Sequence, residues 1–404
     1  MKQLILNIRR LPGIAAILLL IIVLQGCSDS DPMVSTGLDS SYTIPRMQIL
    51  RLSTPYTSGT FRWTATSPDG KQEVLSTSSD CLFVAAEEGI WTLTLRIADG
   101  DETILETSTI NVVHEEIEYS PYLAEVYEYR PAPGQFVNMM PRWRNGDSAA
   151  DMARKVADAI CGESEELVSL GAYGGYVVMG FDHTVVNTPG KDFLIKGNAF
   201  YDDPESGVAA GSAEPGIVMV SVDANGNGQP DDPWYELAGS EYTSPATIHG
   251  YSITYTRPEK DKIPVPDGQY ITDMQYIGWA DSQGQTGYVM KNTEHSQSYW
   301  PEWLDEPTLS FRGTRLAPNA VDLSGQGLYF RLFAYPWGYA DNHPNSQTDL
   351  CSFDIDWAVD EYGMPVRLPG IDFIKVYTAL NQYCNWIGET STEICGATDL
   401  NIAQ

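Results

Sequence analysis

The chain has 404 residues, with 54 acidic against 24 basic side chains and a formal net charge of −30. Such a surface repels polyanions and leaves no basic stripe for phosphate contacts, so nucleic acid is excluded as a partner. The 23 Tyr, 10 Trp and frequent Gly and Pro exclude a disordered chain, five His without an HExxH pattern give zinc chemistry no support, and the length fits two or three domains.

The first segment reads as an export signal. Lys2, Arg9 and Arg10 precede an apolar run over 14–24, which is shorter than the roughly 20 residues a spanning helix needs and ends at Gln25-Gly26-Cys27. Basic start, apolar core and small residues in this order predict a secretory signal over 1–26. Leu24-Gln-Gly-Cys27 resembles the lipobox of bacterial lipoproteins, which implies lipidation at Cys27 and membrane contact through that anchor only. The Ser-Asp-Ser-Asp that follows opens a tether, 27–41, and resembles the acidic signal that sends such lipoproteins to the outer face of the outer membrane.

Residues 42–116 read as a small β-sandwich. Apolar positions alternate in 59–66, 81–84, 90–97 and 104–113, with turns at Pro68-Asp-Gly70 and Asp99-Gly-Asp101. Phe61-x-Trp63 and Gly89-Ile-Trp-Thr-Leu-Thr-Leu95 resemble PKD-type, immunoglobulin-like domains, which implies a spacer between membrane and binding module. Trp63 and Trp91 are expected in its core.

Residues 117–404 form the larger module. The stretch 122–138 contains Pro131, Pro133 and Gly134 and is expected to wrap irregularly over the surface. A helix is predicted over 148–161: Asp147 or Ser148 can cap it, Met152, Val156, Ala159 and Ile160 share one face, and Gly162 ends it. From Leu167 strands and turns return without a fixed repeat, so the module is mainly β with one or two short helices. The glycines of 170–180 lack the following helix and Lys-Ser/Thr of a phosphate loop, and close strand packing or a bulge explains them better. The glycine-rich strand ending at Phe181-Asp182, the Asp192-Phe193 strand ending near Asn198, and segments 320–323 and 353–360 resemble core strands of exported jelly-roll domains. That resemblance implies a jelly-roll-like β-sandwich in which the first two strands pair, and it makes Asp182, Asp354 and Asp356 as readily structural as functional.

Cys81, Cys161, Cys351, Cys384 and Cys395 show no metal spacing. Cys384 can pair with Cys395 in an exported chain, the odd count leaves at least one thiol free, and buried inert cysteine is the reading for most of them.

The sharpest local motif is Asp223-Ala-Asn-Gly-Asn-Gly-Gln-Pro-Asp-Asp232. Oxygens of Asp223, Asn225, Asn227, Asp231, Asp232 and the nearby Glu236 can converge on Ca²⁺ in a structural role, although Trp234 stands where a bidentate carboxylate would close the loop. The alternative is an Asx-rich turn that binds nothing. Two aromatic clusters, Tyr299-Trp300 with Trp303, and Tyr335 with Trp337 and Tyr339, lie beside Pro and Gly and have loop composition. They read as exposed platforms for a bulky ligand or, equally, as plugs closing a sandwich. His343 can meet the metal of a cofactor or sit free on its loop. No GxSxG, nucleophile context or named carboxylate pair is present, so the chain is expected to bind rather than catalyse.

Taken together, the lipobox, the PKD-like spacer, Pro131-Ala-Pro-Gly-Gln-Phe-Val137, the Gly171-Ala-Tyr-Gly-Gly175 run and the Asp223 loop resemble Bacteroidota surface lipoproteins of the BtuH type. The resemblance implies capture of vitamin B12 or related corrinoids, bound as ligand rather than cofactor, and delivery to a BtuB-type TonB-dependent transporter. Carbohydrate binding, or an adhesive or structural role with every ring buried, are the competing readings.

Overall fold

A computed structural model describes residues 35–402, and Cys27, the export signal and most of the tether lie outside the described residues. The described chain is mainly β, with one α-helix. None of its helices is long and apolar enough to cross a membrane.

The first unit is a β-sandwich. Its larger sheet runs in the order Ser41–Pro45, Glu102–Val113, Gly89–Asp99, Thr60–Thr66 and Gln72–Ser76, faced by the pair Leu50–Ser53 and Asp80–Phe83. Strict alternation in Gly89–Asp99 sends Leu93, Leu95 and Ile97 into a core with Trp63, Phe83, Ile110 and Val112. Trp63 is fully buried and its indole N–H donates to the Ser78 carbonyl at 2.9 Å. Trp91, half-buried, packs edge-on against Phe83 at 5.4 Å. The end of the predicted tether belongs to this unit: Thr36 is buried, and the Ser108 hydroxyl donates to the Asp39 carbonyl at 2.7 Å.

In the larger module a six-stranded sheet runs Ala358–Val359, Tyr235–Leu237, Gly216–Ser221, Gly370–Thr378, Tyr176–Val186 and Glu125–Arg130. The strand Glu125–Arg130 corrects the expectation of an irregular surface wrap over 122–138: a bulge at Tyr127 lets Val126 and Tyr129, three residues apart, both be buried, and the Pro-containing part beyond it is irregular but mostly buried rather than on the surface. Helix Ala149–Ile160 packs on the same core through Met152, Val156, Ala159 and Ile160. Ser148 caps it in a reciprocal capping box with Asp151.

Tyr176–Val186 and Phe193–Lys196 are not partners. The first pairs with Gly370–Thr378 and Glu125–Arg130, the second with Ser352–Phe353 and Gly396–Asp399 in a separate three-stranded sheet. They meet instead across the core, where Met179, Phe181 and Val185 pack in one cluster with Phe193 and Ile195. Asp192, just before Phe193, is buried, its carboxyl accepting the Thr188 and Ile355 N–H groups at 2.8 and 2.9 Å. A third sheet, Thr286–Asn292, Ile271–Asp281, Ile248–Thr256 and Thr308–Arg315, carries a second, aromatic core.

All five described cysteines are free, and the expected Cys384–Cys395 bridge does not form. Burial pushes the Cys384 thiol up to about 12 and the Cys395 thiol up to about 11, which suits inert packing rather than reactivity.

Candidate functional site

The structure divides the predicted aromatic clusters between two cores. Tyr299 and Trp300 are fully buried in the aromatic core; the Tyr299 hydroxyl donates to Asn292 at 3.0 Å, and Trp303 stacks on Tyr129 at 5.6 Å. Tyr339 is buried against Tyr335, 5.5 Å away, and only Trp337 is exposed, leaning on Trp357 at 4.6 Å. The platform reading of these residues is therefore corrected: most of them plug sheet ends, because rings beside Pro and Gly can fold inward as easily as outward. His343 is likewise buried rather than free on a loop, with Nδ1 2.6 Å from the Tyr201 hydroxyl and burial holding its pKa below the ordinary histidine range.

The Asp223 loop closes on itself. The Asp223 carboxylate accepts the Gly226, Asn227 and Gly228 N–H groups, Asp231 accepts the amides of Asn225 and Asn227, and Asp232 accepts the Ala224 N–H. Gly226 and Gly228 supply the left-handed backbone that the turns need. Glu236 does not join them. Its strand pairs with Gly216–Ser221, and its carboxyl turns inward to accept from the Thr314 hydroxyl at 2.6 Å.

One cavity, about 560 Å³, is lined by Arg257, Lys262 and Lys291, but its charges are largely answered: Arg257 pairs with Glu302 at 3.0 Å and Lys262 with Asp273 at 2.5 Å. A second cavity, about 410 Å³, gathers more unanswered chemistry. One wall is the small sheet Phe200–Tyr201, Ala210–Ser212, Phe330–Phe333 and Ala320–Asp322. The opposite wall is the turn around Asn385–Ile387, pinned where the Trp386 indole N–H donates to the Leu328 carbonyl at 3.2 Å and the Asn385 amide to that of Gly327 at 3.0 Å. Phe136, Phe200, Phe330 and Trp386 ring the space, and Tyr270 packs against Trp386 at 5.6 Å.

The floor is acidic. Glu214, Glu389 and Glu393 line the cavity, and Asp341 stands with them: the carboxylate oxygens of Glu214, Asp341 and Glu393 lie within 4.8 Å of one another. Among the described residues this is the one group of three or more His, Cys, Asp or Glu close enough to hold a metal. Asp341, at a φ of 52°, accepts the backbone N–H groups of Asn198, Ala199 and Glu393 at 2.7, 2.8 and 2.9 Å. Glu393 accepts the Ser391 hydroxyl at 2.8 Å, and Glu214 the Ser391 N–H at 3.2 Å. Glu389 accepts the Gln135 N–H at 2.6 Å through Oε1, while its buried Oε2 has no hydrogen-bond partner. Among the described residues no basic side chain pairs with any of the four. Burial pushes the Glu214 carboxyl up to about 7 and that of Glu389 up to about 8; Asp341 and Glu393 are also raised, by burial and then by the neighbouring carboxylates. Such a floor can grip hydroxyls, an ammonium group or a hard cation.

None of these four acids was legible as a site residue. The available signal was weak: residues 376–404 contain Glu389 and Glu393 but no Lys or Arg, so no local partner is at hand for either.

Comparison with known protein families finds no matching family, and comparison with curated proteins finds no matching protein. Among solved structures, one titled "SusE-like protein BT2857" aligns over 91% of this chain and 99% of its own, at 9% identity and a TM-score of 0.26. So loose a superposition carries no argument about fold or function.

Proposed function

We propose that the chain is a non-catalytic binding protein, tethered through Cys27 at the outer face of a bacterial outer membrane, whose aromatic-rimmed and acid-floored cavity takes a saccharide. The observation that supports this is the pairing of rings and oxygens around one space: Phe200, Phe330 and Trp386 at the rim, and Asn198, Asn292 and the carboxyls of Glu214, Glu389 and Glu393 within. A sugar ring presents an apolar face for stacking and hydroxyls that both donate and accept, which is the complement of such a lining. A glycan array probed with the purified chain, followed by calorimetry on the strongest hit, tests it. Trp386→Ala is expected to weaken binding at least tenfold; an array without hits, or an affinity indifferent to Trp386, overturns the reading.

Corrinoid capture is the second reading, and a different observation favours it. Tyr270, Phe200, Leu328, Tyr329 and Ile387 are all exposed, and the hairpin bearing Leu328 and Tyr329 is hydrogen-bonded to the Trp386 turn at the cavity wall. An apolar apron of this kind suits a flat ligand that covers the mouth rather than entering it. Delivery to a BtuB-type transporter belongs to this reading. Co-elution of cyanocobalamin with the chain on size exclusion is expected under it, and absence of co-elution at micromolar protein removes it. Calcium in the Asp223 loop remains a proposal in narrower form, without Glu236, and a lower melting temperature after chelation that Asp231→Asn abolishes is its expected signature.

A further inference from the structure

We propose that the floor of the second cavity is a binding site for a hard divalent cation of the calcium class, held by the carboxylates of Glu214, Asp341 and Glu393, with the unpartnered carboxyl of Glu389 lining the same cavity. The inference goes beyond the saccharide reading, because the ion would occupy the empty cavity as well as the filled one.

Geometry carries it first. An ion coordinated at about 2.3–2.6 Å separates opposed ligand oxygens by at most about 5 Å, and the three carboxylates offer oxygens within 4.8 Å of one another. The donors are all oxygen, which selects calcium, magnesium or manganese over softer metals.

Independent of that cluster, Glu389 is 3% exposed, lines the same cavity, and leaves Oε2 without any partner. A buried carboxylate oxygen left unanswered is destabilising, and it is stable where something absent from the protein chain answers it.

Charge supplies the driving force. Asp341 and Glu393 are 3% and 2% exposed, and no Lys or Arg among the described residues pairs with any of the four acids. Buried carboxylates without a counter-charge must hold protons or take up a cation. The three backbone N–H groups aimed at Asp341 favour its charged form and so the cation.

Two measurements on the full chain solubilised in detergent test the proposal, both without saccharide. Crystals soaked in terbium chloride are expected to show an anomalous peak between Glu214, Asp341 and Glu393, separate from any peak in the loop 223–232. Calorimetric titration of calcium chloride at pH 7.5 is expected to show a site that Glu393→Gln and Glu389→Gln each weaken at least tenfold and that Asp231→Asn leaves unchanged. No peak in the floor, or a calcium affinity indifferent to both glutamine variants, overturns the proposal; should Glu393→Gln fail to fold, Glu389→Gln and the wild-type crystal still decide it. A floor peak in a chain that binds no glycan overturns only the saccharide reading, and glycan binding without a floor peak overturns only this one.

Discussion

Glu236 lies on the strand Tyr235–Leu237 with its carboxyl near Thr314, Tyr339 and Tyr377, and burial pushes it up to about 7. Its position four residues after Asp232 suggested a loop ligand, but period-two alternation along a paired strand turns the side chain to the face opposite Leu237, where Thr314 and Tyr377 cover it. The pH consequence follows in sign. An unfolded glutamate loses its proton near pH 4.5 whereas the folded one holds it to about pH 7, so between those values the native state binds more protons and stability falls as pH rises. Glu236→Gln removes that loss while still accepting from Thr314. Urea unfolding is expected to show the variant about 3 kcal/mol more stable than wild type at pH 8 and nearly equal at pH 5. An equal difference at both pH values would sink the assignment. His343 illustrates the converse problem: nothing in its neighbours Asn342 and Pro344 announces that it is buried beside Tyr201.

The element most constrained by its neighbours is the glycine-rich stretch leading into the strand Tyr176–Val186. A Cβ on Gly175 would lie 1.9 Å from the Leu170 carbonyl oxygen and 2.2 Å from the Ala132 nitrogen, both of them backbone atoms that cannot swing away. The glycines thus serve close backbone approach, as their sequence context indicated when it failed to supply a phosphate loop. Gly175→Ala is expected to lose about 3 kcal/mol or more in chemical denaturation. Gly278→Ala, where a Cβ would meet only the Tyr288 ring at 3.7 Å, is the matched control and should stay within about 0.5 kcal/mol. The helix was legible almost to the residue, because its cap, its apolar face and its terminating glycine all lie within one local window. The strand Glu125–Arg130 was not. Its six residues sit just before a proline-containing stretch, and its pairing partner, Tyr176–Val186, lies some fifty residues on.

At the scale of the whole molecule, the first sandwich docks on the larger module through a few specific contacts. Arg51 donates to the carbonyls of Asp223 and Ala224 and pairs with the Asp223 carboxylate at 3.4 Å; Arg367 pairs with Glu73; the Thr184 N–H donates to the Met47 carbonyl at 3.1 Å. Met47, Val84 and Val186 bury a small apolar cluster between the two units. The Asp223 loop therefore also ties the units together, a role its local pattern could not disclose. Removing both arginines (Arg51→Ala with Arg367→Ala) leaves that cluster, the Met47 contact and the Gln48–Tyr119 hydrogen bond. Calorimetry is expected to resolve two unfolding transitions where the wild type shows one, and a single unchanged transition would show that the arginines do not couple the units.

Those aspects of the described chain that depend on local chemistry were determined by the sequence alone: the mainly β fold, the alternating core of the first sandwich, the capped helix and the packing role of the glycines. Periodicity and capping act over a few residues, so a linear reading captures them. Which rings face outward and which acids converge were decided only by the tertiary structure. Trp300 and Trp386 both lie outside the strands, yet one is buried in a core and the other walls a cavity. Glu214, Asp341 and Glu393 come from three distant stretches, and only the tertiary fold brings their oxygens together. Burial and convergence are properties of pairs far apart in the chain, and local pattern carries no record of them.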